Sequence, residues 1–526
     1  MRADRLCTGT ARTKGPMRAL ISVYDKSGVA DFARGLAALG FDLVSSGGTA
    51  DFLAAEGVEV TRVEEVTSAP ELLGGRVKTL HPRIHAGILA RRDLQEDIDT
   101  LAEHEIEPFD LVCVNLYPFT SVASRLGVSE AEAIELIDVG GPSMLRAAAK
   151  NFAHVAAVCR PEQYEPVLSE LRERGELSVD LRRSLANDAF ATTASYDAAI
   201  ARWFGETEAF PTEFTPSFEK VADLPYGENP HQRAAYYREL GARRHLLSNV
   251  ELVSGRDLSY NNLADLDAAS RLARQFTSPT AVIVKHANPC GVASADTIEE
   301  AYERALAADP VSAFGSVIVL NRAVSAPLGA RIAELFVEVL LAPAYDDGAL
   351  GALRKKEALR LLRDHERRAE SPRELDYKRV LGGLLVQERD VDVAQLEPLR
   401  VAAGSVSDDG LRDLLFAWEV CRFVSSNAIV LAKERQTVGI GAGQMSRVDA
   451  VRIAVEKARE LGHETTGAVL ASDAFFPFAD GPQLALDAGV TAIIQPGGSK
   501  RDAEVIEAVE KAGAAMVFTG RRHFRH

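Results

Sequence analysis

Short apolar runs alternate with stretches of helical spacing along nearly the whole chain, and this alternation is the strongest constraint on its fold. In the first half, residues 18–23 and 41–44 have the length and composition of strands, and the apolar residues between them recur at helical intervals until Gly40. Further strands are predicted at 111–114 and 155–158. Strands that alternate with helices predict an open parallel sheet covered by helices on both faces.

One segment interrupts the alternation, at residues 210–216. It contains Pro211 and Pro216, and proline cannot continue a helix or a central strand. Beyond it the pattern is again that of an α/β domain, with a buried-strand run at 281–284. A chain of 526 residues is also too long for one hydrophobic core. We therefore predict a disordered leader at residues 1–16, one domain at 17–210 and a second at 211–526.

The composition excludes several classes of partner. The net charge of -16 argues against a protein that coats nucleic acid, because such affinity comes from clustered Lys and Arg. No uncharged stretch approaches the roughly 18 residues needed to span a bilayer, so we expect no membrane partner. The five cysteines are scattered and odd in number, as in reduced cytosolic proteins. We therefore expect a cytoplasmic protein whose phosphorylated ligands are held by local groups of cations.

Two loops that follow neighbouring strands have the composition of a phosphate site. Residues 45–49 lie between a strand and a helix and read Ser-Ser-Gly-Gly-Thr, and residues 25–28 follow the preceding strand. Glycines let backbone amides approach a phosphate, and the start of the next helix favours an anion. An ordinary turn with a helix cap is the alternative explanation. Because ligands bind at the carboxyl edge of such sheets, we predict that both loops face one ligand.

A second candidate is the basic segment at residues 74–82. Arg76 and Lys78 lie one residue apart just after two glycines, in a chain that is acidic overall. Two such cations suit the binding of a phosphate or of a polarised carbonyl oxygen. A solvated basic loop is the alternative.

Three further side chains lie near the ends of predicted elements in the same domain: Tyr117, Asp138 and Lys150. Side chains of these types can donate and carry protons. Individually each is more often a capping or surface residue, so the sequence alone gives them little weight.

In the second domain, an apolar strand ends at Lys285 and His286. A fixed positive charge beside an imidazole favours the neutral ring, which can then act as a general base. The alternative is a histidine satisfied by the core and a lysine that reaches solvent. Cys290 suggests a zinc deaminase, but a His-x-Glu motif and a second cysteine at the required spacing are missing. Another predicted strand, at 429–431, ends near Lys433, which hints at an internal duplication.

Taken together, these segments resemble the family of bifunctional purine biosynthesis proteins in which an AICAR transformylase is fused to an IMP cyclohydrolase. The resemblance extends over nearly all of residues 17–526 and depends on long strings in a fixed order, which chance cannot plausibly produce. The strings are 46–50, 74–82, 115–119, 138–141, 146–150, 226–232, 285–286, 439–444 and 472–478.

The resemblance implies a fold and two reactions. The N-terminal domain would be a methylglyoxal-synthase-like doubly wound parallel sheet with the IMP cyclohydrolase site. The C-terminal domain would be a pair of zinc-free cytidine-deaminase-like subdomains with the AICAR transformylase site. The transformylase moves a formyl group from 10-formyltetrahydrofolate to AICAR, and the cyclohydrolase closes the product, FAICAR, to IMP. The resemblance also implies an intertwined homodimer without a catalytic metal, and it leaves a structural monovalent cation undecided.

The family's site residues are transferred to this chain only where its motifs match. The implied catalytic residues are Lys78, Tyr117, Asp138 and Lys150 in the cyclohydrolase, and Lys285 and His286 in the transformylase. The implied substrate-binding residues are Ser22, Lys26, Ser46, Gly47, Gly48, Thr49, Arg76 and Thr79 in the first domain, and Tyr226, Asn229, Phe314, Glu338, Asn427, Gln444, Arg447 and Asp473 in the second. One position departs from the family: Pro225 stands where most relatives have an arginine that helps to grip the nucleotide.

A non-catalytic nucleotide-binding regulatory protein is the rival function. A methylglyoxal-synthase-like module suits an allosteric phosphate binder, and a zinc-free deaminase fold suits a scaffold. The pairing of Lys285 with His286 at the end of a strand favours the enzyme, because a sensor has no need of a general base beside a cation. Release of tetrahydrofolate from a mixture of the protein, AICAR and formylfolate distinguishes the two functions.

Overall fold

The computed structural model of the chain forms two compact units. The first ends at Glu219 and also takes in a short stretch from Arg238, and the second comprises the rest. The structure describes residues 16–117, 119, 128–205, 209–240, 246–248, 250–365, 374–391 and 399–526. The leader predicted at residues 1–16 lies outside the described residues apart from Pro16, and so does Pro118 of the 115–119 string.

A five-stranded sheet organises the first unit. Its strands are β1 (Met17–Val23), β2 (Phe41–Ser45), β3 (Thr61–Arg62), β4 (Leu111–Asn115) and β5 (Ala156–Val158). They lie in the order β3-β2-β1-β4-β5, and every pairing is parallel. The chain moves outward from β1 to β3 and then returns to the other side of β1 with β4. Ligands of open α/β sheets bind beyond the carboxyl ends of the strands where the order reverses, which here is the edge shared by β1 and β4.

Helices cover both faces of this sheet. They are α1 (Val29–Ala38), α2 (Gly47–Ala55), α3 (Val63–Thr67), α4 (Pro82–Leu89), α5 (Gln95–Glu103), α6 (Glu130–Glu135), α7 (Gly140–Lys150), α8 (Tyr164–Arg174) and α9 (Val179–Phe204). Ile21 belongs to one core with Phe32 and Leu168, while its neighbour Leu20 belongs to another with Leu145. Successive residues of a strand point to opposite faces, so this division shows a sheet buried on both sides. The predicted parallel sheet with helices on both faces is confirmed.

The second unit is built on one sheet of twelve strands. Two further pairs form small separate sheets: β6 (Phe218–Leu224) with β7 (Ala234–Glu239), and β14 (Leu375–Val380) with β15 (Gly383–Glu388). The strands of the large sheet are β8 (Val250–Ser254), β9 (Thr280–Lys285), β10 (Asn288–Ser294), β11 (Ser316–Leu320), β12 (Val337–Ala342), β13 (Arg360–Asp364), β16 (Arg400–Ala403), β17 (Ile429–Lys433), β18 (Gln436–Gly441), β19 (Val469–Ser472), β20 (Ala492–Gln495) and β21 (Ala515–Phe518).

The large sheet consists of two halves with the same strand order. The first half runs β8-β13-β12-β11-β9-β10, and the second runs β16-β21-β20-β19-β17-β18. The halves meet where β10 pairs antiparallel with β18, at Ala293 and Gln436. In each half an antiparallel hairpin, β9 with β10 or β17 with β18, lies beside three parallel strands. The duplication that Lys285 and Lys433 suggest in the sequence is therefore present in the fold.

Among the described residues, each half has four helices in matching places. They are α10 (Tyr260–Arg274), α11 (Ile298–Ala308), α12 (Ala326–Ile332) and α13 (Asp347–Leu353) in the first half, and α14 (Asp408–Cys421), α15 (Arg447–Glu460), α16 (Asp480–Asp487) and α17 (Asp502–Lys511) in the second. One shared core contains Leu272 of α10 and Trp418 of α14. Each half also has a core of its own, around Tyr302 in the first and Val451 in the second. Alternate residues of the strands belong to the shared core and to the separate cores. The shared core therefore lies on one face of the sheet and the two separate cores lie on the other.

A glycine in each hairpin lets a helix backbone approach the sheet. A Cβ atom added to Gly291 would lie 2.0 Å from the carbonyl oxygen of Ala305 in α11, and one added to Gly439 would lie 2.1 Å from that of Ala454 in α15. Both distances are far shorter than the contact distance of packed carbon and oxygen atoms. The two glycines therefore determine how closely α11 and α15 pack on the central strands.

Candidate active sites

The first candidate site lies at the carboxyl edge of β1 and β2, where both predicted phosphate loops begin. The hydroxyl groups of Ser22 and Ser46 share a hydrogen bond of 2.8 Å. Thr49 Oγ1 accepts from the amide of Val23 at 3.1 Å and donates to the carbonyl of Val23 at 2.9 Å. Lys26 Nζ donates to the same hydroxyl at 3.0 Å. The loops after β1 and β2 are therefore in direct contact.

The start of α2 adds donors to this edge. Ser46 precedes the helix in an extended conformation, and its side chain does not cap the helix. The first amides of an α-helix have no acceptor within the helix, so those of Gly47 and Gly48 suit an anion. Burial lowers the pKa of Lys26, whose amine contacts Thr49 of this helix, because burial penalises the charged form. A phosphate bound here would oppose this shift, because a nearby negative charge favours the charged form of the amine.

Lys78 reaches the start of α2 because Gly47 has no side chain. A Cβ atom on Gly47 would lie 2.6 Å from Lys78 Nζ, and the φ of 44° at this position also favours glycine. The Lys78 amine lies 3.3 Å from Glu71 Oε2. Thr79 lies against the start of α7, with its hydroxyl 2.7 Å from the place that a Cβ atom of Gly140 would take. The basic segment therefore extends between the starts of two helices.

Asp138 lies just before α7 in a network of hydrogen bonds. Its Oδ1 accepts from the amide of Gly141 at 2.9 Å. Its own amide donates to the hydroxyl of Tyr196 at 2.8 Å, and that hydroxyl donates to Leu136 O at 3.1 Å. Burial raises the pKa of Asp138, and it raises that of Tyr196 to about 12. A carboxyl group with a raised pKa is suited to proton transfer.

Tyr117 follows β4 and lies beside the loop after β1. Its ring centroid is 5.0 Å from that of Tyr24. Asn115, two residues earlier, accepts at Oδ1 from the amides of Tyr24 and Asp25, at 2.5 and 3.0 Å, and donates from Nδ2 to Asp25 O at 2.9 Å. Asn115 thus joins the ends of β1 and β4 at the reversal of strand order. Sequence reasoning assigned no role to Asn115 or Tyr24.

The two remaining catalytic or basic residues predicted in this unit are Arg76 and Lys150. Arg76 forms an ion pair with Glu135 on α6. Lys150 is exposed in the last turn of α7, about 15 Å along the helix axis from Gly140. The next strand, β5, starts beside the start of β4, at the amino edge of the sheet. The structure therefore does not bring Lys150 to Lys78 and the other predicted residues.

The second candidate site is built on the turn between β9 and β10. His286 and Ala287, with φ of 52° and 58°, join Lys285 to Asn288, which pair across the hairpin. A two-residue hairpin turn with positive φ at both positions is one that side chains other than Gly and Asn rarely adopt. Asp265 on α10 supports it by accepting from the amide of Ala287 at 2.6 Å. Burial raises the pKa of Asp265, and hydrogen bonds from the turn amides oppose the rise.

The first half of the second unit also places other predicted residues near this turn. Lys285 Nζ donates to Phe314 O at 2.6 Å. Phe314 precedes β11, is exposed, and has its ring centroid 5.1 Å from that of Phe336. Glu338 on β12 accepts from Asn262 Nδ2 at 2.7 Å. Phe314 and Glu338 therefore lie at the strands that follow β9 in the sheet.

The second half contributes a polar cluster of Asn427, Gln444, Arg447 and Asp473, which we term the Arg447 cluster. Arg447 and Asp473 form an ion pair and are 8% and 0% exposed. Arg447 Nη2 donates to Asn427 Oδ1 at 2.6 Å, and Asn427 Nδ2 donates to Gln444 O at 2.8 Å. All four are residues to which the family resemblance assigns substrate contact. The structure brings them together.

Two serines connect this cluster to the turn. Asn288 Oδ1, in the turn, accepts from the amide of Ser425 at 2.8 Å. Ser426 Oγ donates to Asp473 Oδ2 at 2.5 Å. Sequence reasoning missed Asn288, Ser426 and Asp265, because each makes its contact with a residue 22 to 137 positions away in the chain. No local pattern marks such residues.

The loop after β6 contains the last two predicted contacts, Tyr226 and Asn229. The backbone and side-chain amides of Asn229 donate to Gln232 Oε1 at 2.9 and 3.0 Å. Glu228 O accepts from Asn261 Nδ2 at 3.2 Å. The loop is therefore fixed beside the first turn of α10. The next residue of that turn, Asn262, donates to Glu338 on β12.

Within the described ranges, no group of three or more His, Cys, Asp or Glu side chains is arranged to hold a metal ion. Over the same residues, no helix is long and apolar enough to cross a membrane. Cys113, Cys159, Cys290 and Cys421 are free thiols.

Comparison with known proteins identifies the family of the chain. Residues 148–457 match the model of the AICARFT/IMPCHase bienzyme family, and residues 28–143 match that of the MGS-like domain. The bifunctional purine biosynthesis protein PurH of Rhodopirellula baltica is 51% identical to this chain, over 97% of it and 99% of that protein. The proteins of the same name from Persephonella marina and Sorangium cellulosum are 49% and 50% identical over the same shares. Among solved structures, ForH is 40% identical over 36% of this chain and 100% of its own, with a TM-score of 0.33.

The MGS-like match to the parallel sheet and the bienzyme-family match that extends into the duplicated α/β unit describe a bifunctional enzyme. The chain belongs to the AICARFT/IMPCHase bienzyme family. It is an enzyme of purine biosynthesis with AICAR transformylase and IMP cyclohydrolase activities, and the first of these implies a folate-type formyl donor. The family and the two activities predicted from the motifs are confirmed.

Proposed function

We propose that each domain has one of the two activities, with ring closure in residues 17–210 and formyl transfer in residues 211–526. The observation that supports this division is that the two groups of proton-carrying side chains belong to different compact units. Lys78, Tyr117 and Asp138 belong to the first, and Lys285 and His286 to the second.

His286 is the general base of formyl transfer. The 5-amine of AICAR is a weak nucleophile, because its lone pair is delocalised into the ring that bears the carboxamide. As the amine nitrogen attacks the formyl carbon of 10-formyltetrahydrofolate, His286 accepts a proton from it. The bond between the formyl carbon and N10 of the folate then breaks, and N10 takes up the proton. The products are FAICAR and tetrahydrofolate.

Lys285 stabilises the negative charge that forms on the formyl oxygen during the attack. Its ammonium group has three donors, and only one is used by Phe314 O. AICAR lies against the Arg447 cluster, which Ser425 and Asn288 connect to the catalytic turn. Tyr226, Asn229, Phe314 and Glu338 complete the transformylase site.

Ring closure is intramolecular, so the enzyme chiefly orients the carboxamide nitrogen toward the formyl carbon. Lys78 polarises the formyl oxygen, and the phosphate of FAICAR lies at the start of α2. Asp138, with its raised pKa, and Tyr117 carry protons while the C–N bond forms and water leaves. The substrate-binding residues are Ser22, Lys26, Ser46, Gly47, Gly48, Thr49, Arg76 and Thr79.

The halves of the second unit are zinc-free cytidine-deaminase-like subdomains, and the enzyme is a cytosolic homodimer. The repeated strand order supports the first statement. Exposed apolar side chains of the β14–β15 hairpin, Leu381, Leu384 and Leu385, support the second, because exposed apolar groups concentrated in one short segment mark protein contacts. Free thiols support a reducing compartment.

Replacement of Lys78 tests the division of labour. Lys78→Ala should reduce cyclisation of added FAICAR at least about 100-fold, because it removes the group that polarises the formyl oxygen. Formyl transfer by the same protein should stay within about twofold of the wild type. Arg34→Ala, at an exposed arginine paired with Asp31 and Glu56, is the control and should retain both activities. Loss of both activities in Lys78→Ala would contradict separate sites.

The same assays decide the role of Lys150, which stays a prediction. A loss of cyclisation in Lys150→Ala as large as that in Lys78→Ala would place Lys150 in the reaction despite its position at the far end of α7. A loss of less than about threefold would place it outside the reaction.

A further inference from the structure

The last residues of the chain pass through the proposed transformylase site. The amide of His523 donates to Asp473 O at 2.9 Å, and the amide of Ser426 donates to Arg525 O at 2.9 Å. The segment 523–525 is therefore hydrogen-bonded to the backbone on two sides of the Arg447 cluster. This position brings the side chain of Arg525 to the turn that contains the proposed general base.

Arg525 holds the carbonyl group that follows His286. Its Nη1 donates to Ala287 O at 3.1 Å and also to Phe423 O. Burial lowers the pKa of the guanidinium group, as expected for a cation withdrawn from water. Asp265 accepts from the amide of Ala287 on the other side. The residue next to His286 is thus fixed at both of its backbone groups.

The matching turn of the second half, between β17 and β18, is held differently. Its residues Glu434 and Arg435 have the same φ of 52° and 58°. Here the carbonyl of Arg435 accepts from the backbone amide of Ser294 at 2.9 Å. The carbonyl of the second turn residue is thus held by a main-chain donor here, whereas in the turn of His286 it is held by a side chain of the carboxyl-terminal segment.

We propose that Arg525 is a positioning residue for formyl transfer. By holding Ala287 O, it keeps the positive φ of the turn and so the direction in which the His286 imidazole leaves the backbone. By holding Phe423 O as well, it sets the distance between the turn and the Arg447 cluster. A displacement of about 1 Å at a catalytic group can lower a rate about 100-fold. The inference rests on the proposed function, in which His286 is the base.

The test measures formyl transfer by full-length Arg525→Ala and Arg525→Lys with AICAR and 10-formyltetrahydrofolate. In the alanine variant we expect kcat to fall by about 10- to 100-fold, with KM for AICAR changed by less than about threefold. Lysine keeps the charge, but its side chain ends one bond short of the Nη1 position that contacts both carbonyls, so its kcat should fall by only about 3- to 10-fold. Cyclisation of FAICAR by both variants should be unchanged. Arg412→Ala, at an exposed arginine 2.5 Å from Asp409, is the matched control and should retain both activities.

Two results with Arg525→Ala would overturn the inference. One is a kcat within about twofold of the wild type. The other is a raised KM with normal kcat, which would mean direct contact with AICAR instead of positioning. Loss of the thermal unfolding transition of the second unit in Arg525→Ala would mean that this variant does not fold. The test then uses Arg525→Lys, and a wild-type kcat in Arg525→Lys overturns the inference.

His286→Ala, assayed alongside, distinguishes failure of this inference from failure of the proposed function. Normal formyl transfer by His286→Ala would show that His286 is not the base, and Arg525 would then have no base to position. Loss of transfer in His286→Ala with normal transfer in Arg525→Ala would overturn the positioning role alone.

Discussion

The second unit contains the same turn twice, and only one of the two has a histidine. Between β9 and β10 the turn residues are His286 and Ala287, and between β17 and β18 they are Glu434 and Arg435. The φ angles are 52° and 58° in both turns. Backbone geometry that side chains rarely adopt is therefore repeated where the side chain at the first position differs completely.

The supports of the two turns are also repeated. Lys285 and Lys433 end the strands that enter the turns, and each donates to a backbone carbonyl, at 2.6 and 2.9 Å. Asp265 and Asp413 lie beneath the turns and accept from their amides, at 2.6 and 2.7 Å. The lysine and the aspartate thus belong to the shared scaffold, whatever else Lys285 does in catalysis.

The two turns differ in the first side chain and in its surroundings. An imidazole is a side chain suited to accept and return a proton in catalysis, and the other turn has the exposed Glu434 in its place. The turn of His286 is joined to the Arg447 cluster through Asn288, whereas the backbone of Glu434 accepts from Arg304. Proton transfer is therefore proposed for one turn alone, on a scaffold that both turns share.

Replacement of His286 should have the largest effect. His286→Ala removes the proposed general base, and loss of such a group costs about 10²- to 10⁴-fold in rate. The rate of formyl transfer, measured as the release of tetrahydrofolate, should fall at least about 100-fold. Cyclisation of added FAICAR should be unchanged, because that reaction is proposed for the other domain.

The matched control is Glu434→Ala, at the same position of the other turn. It should keep formyl transfer within about twofold of the wild type, since the shared backbone remains and no proton carrier is lost. A loss as large as that of His286→Ala would break the comparison. Such a loss would mean that the rate of formyl transfer depends on the geometry of both turns and not on the imidazole of His286.

Much of the first unit could be predicted from the sequence. The strands expected at 18–23 and 41–44 differ from β1 and β2 by one residue at one end. The exception is β3, because its two residues are exposed and give no apolar signal. The strand order could not be predicted, since alternation along the chain does not say on which side of β1 the chain returns.

The second unit shows where sequence reasoning ends. A lysine at two strand ends indicated the duplication, but the twelve-stranded sheet depends on pairing between Ala293 and Gln436, far apart in the chain. Local motifs located Lys285 and His286. Arg525 acts on the same turn from 238 positions away, and a contact of that kind has no local pattern.

Replacement of the aspartates beneath the turns should have a smaller effect. Asp265→Asn weakens the support of the His286 turn and should lower kcat for formyl transfer about tenfold, because the base is less well placed. Asp413→Asn weakens the other turn in the same way and should leave kcat within about twofold. Equal losses in the two variants would mean that both turns contribute to the reaction.

The pH dependence of stability sharpens this comparison. Burial raises the pKa of Asp265 above its ordinary value of 3.8, so the folded state binds the proton more tightly than the unfolded state. The stability that this group contributes is full below pH 3.8 and is lost as the pH rises through the raised pKa. As the pH rises from about 4 through the raised pKa, the free energy of unfolding of the wild type should therefore fall relative to Asp265→Asn. Denaturant titrations measure it, and a difference that is independent of pH would show that the carboxyl group is not penalised by burial.

Replacement of the glycines beneath α11 and α15 should give the smallest difference in stability and activity between the two halves. Gly291→Ala and Gly439→Ala each bring a methyl group to about 2 Å from a helix carbonyl, and overpacking of this kind costs about 1–3 kcal/mol or more. The two variants should lose similar free energies of unfolding, within about 0.5 kcal/mol of each other. Formyl transfer per folded molecule should be unchanged in both, because neither glycine contacts the turn. A lower kcat in Gly291→Ala but not in Gly439→Ala would contradict this expectation. It would mean that helix packing, too, makes the first half active and the second inactive. The difference in activity between the halves could then no longer be assigned to the side chain and neighbours of the His286 turn alone.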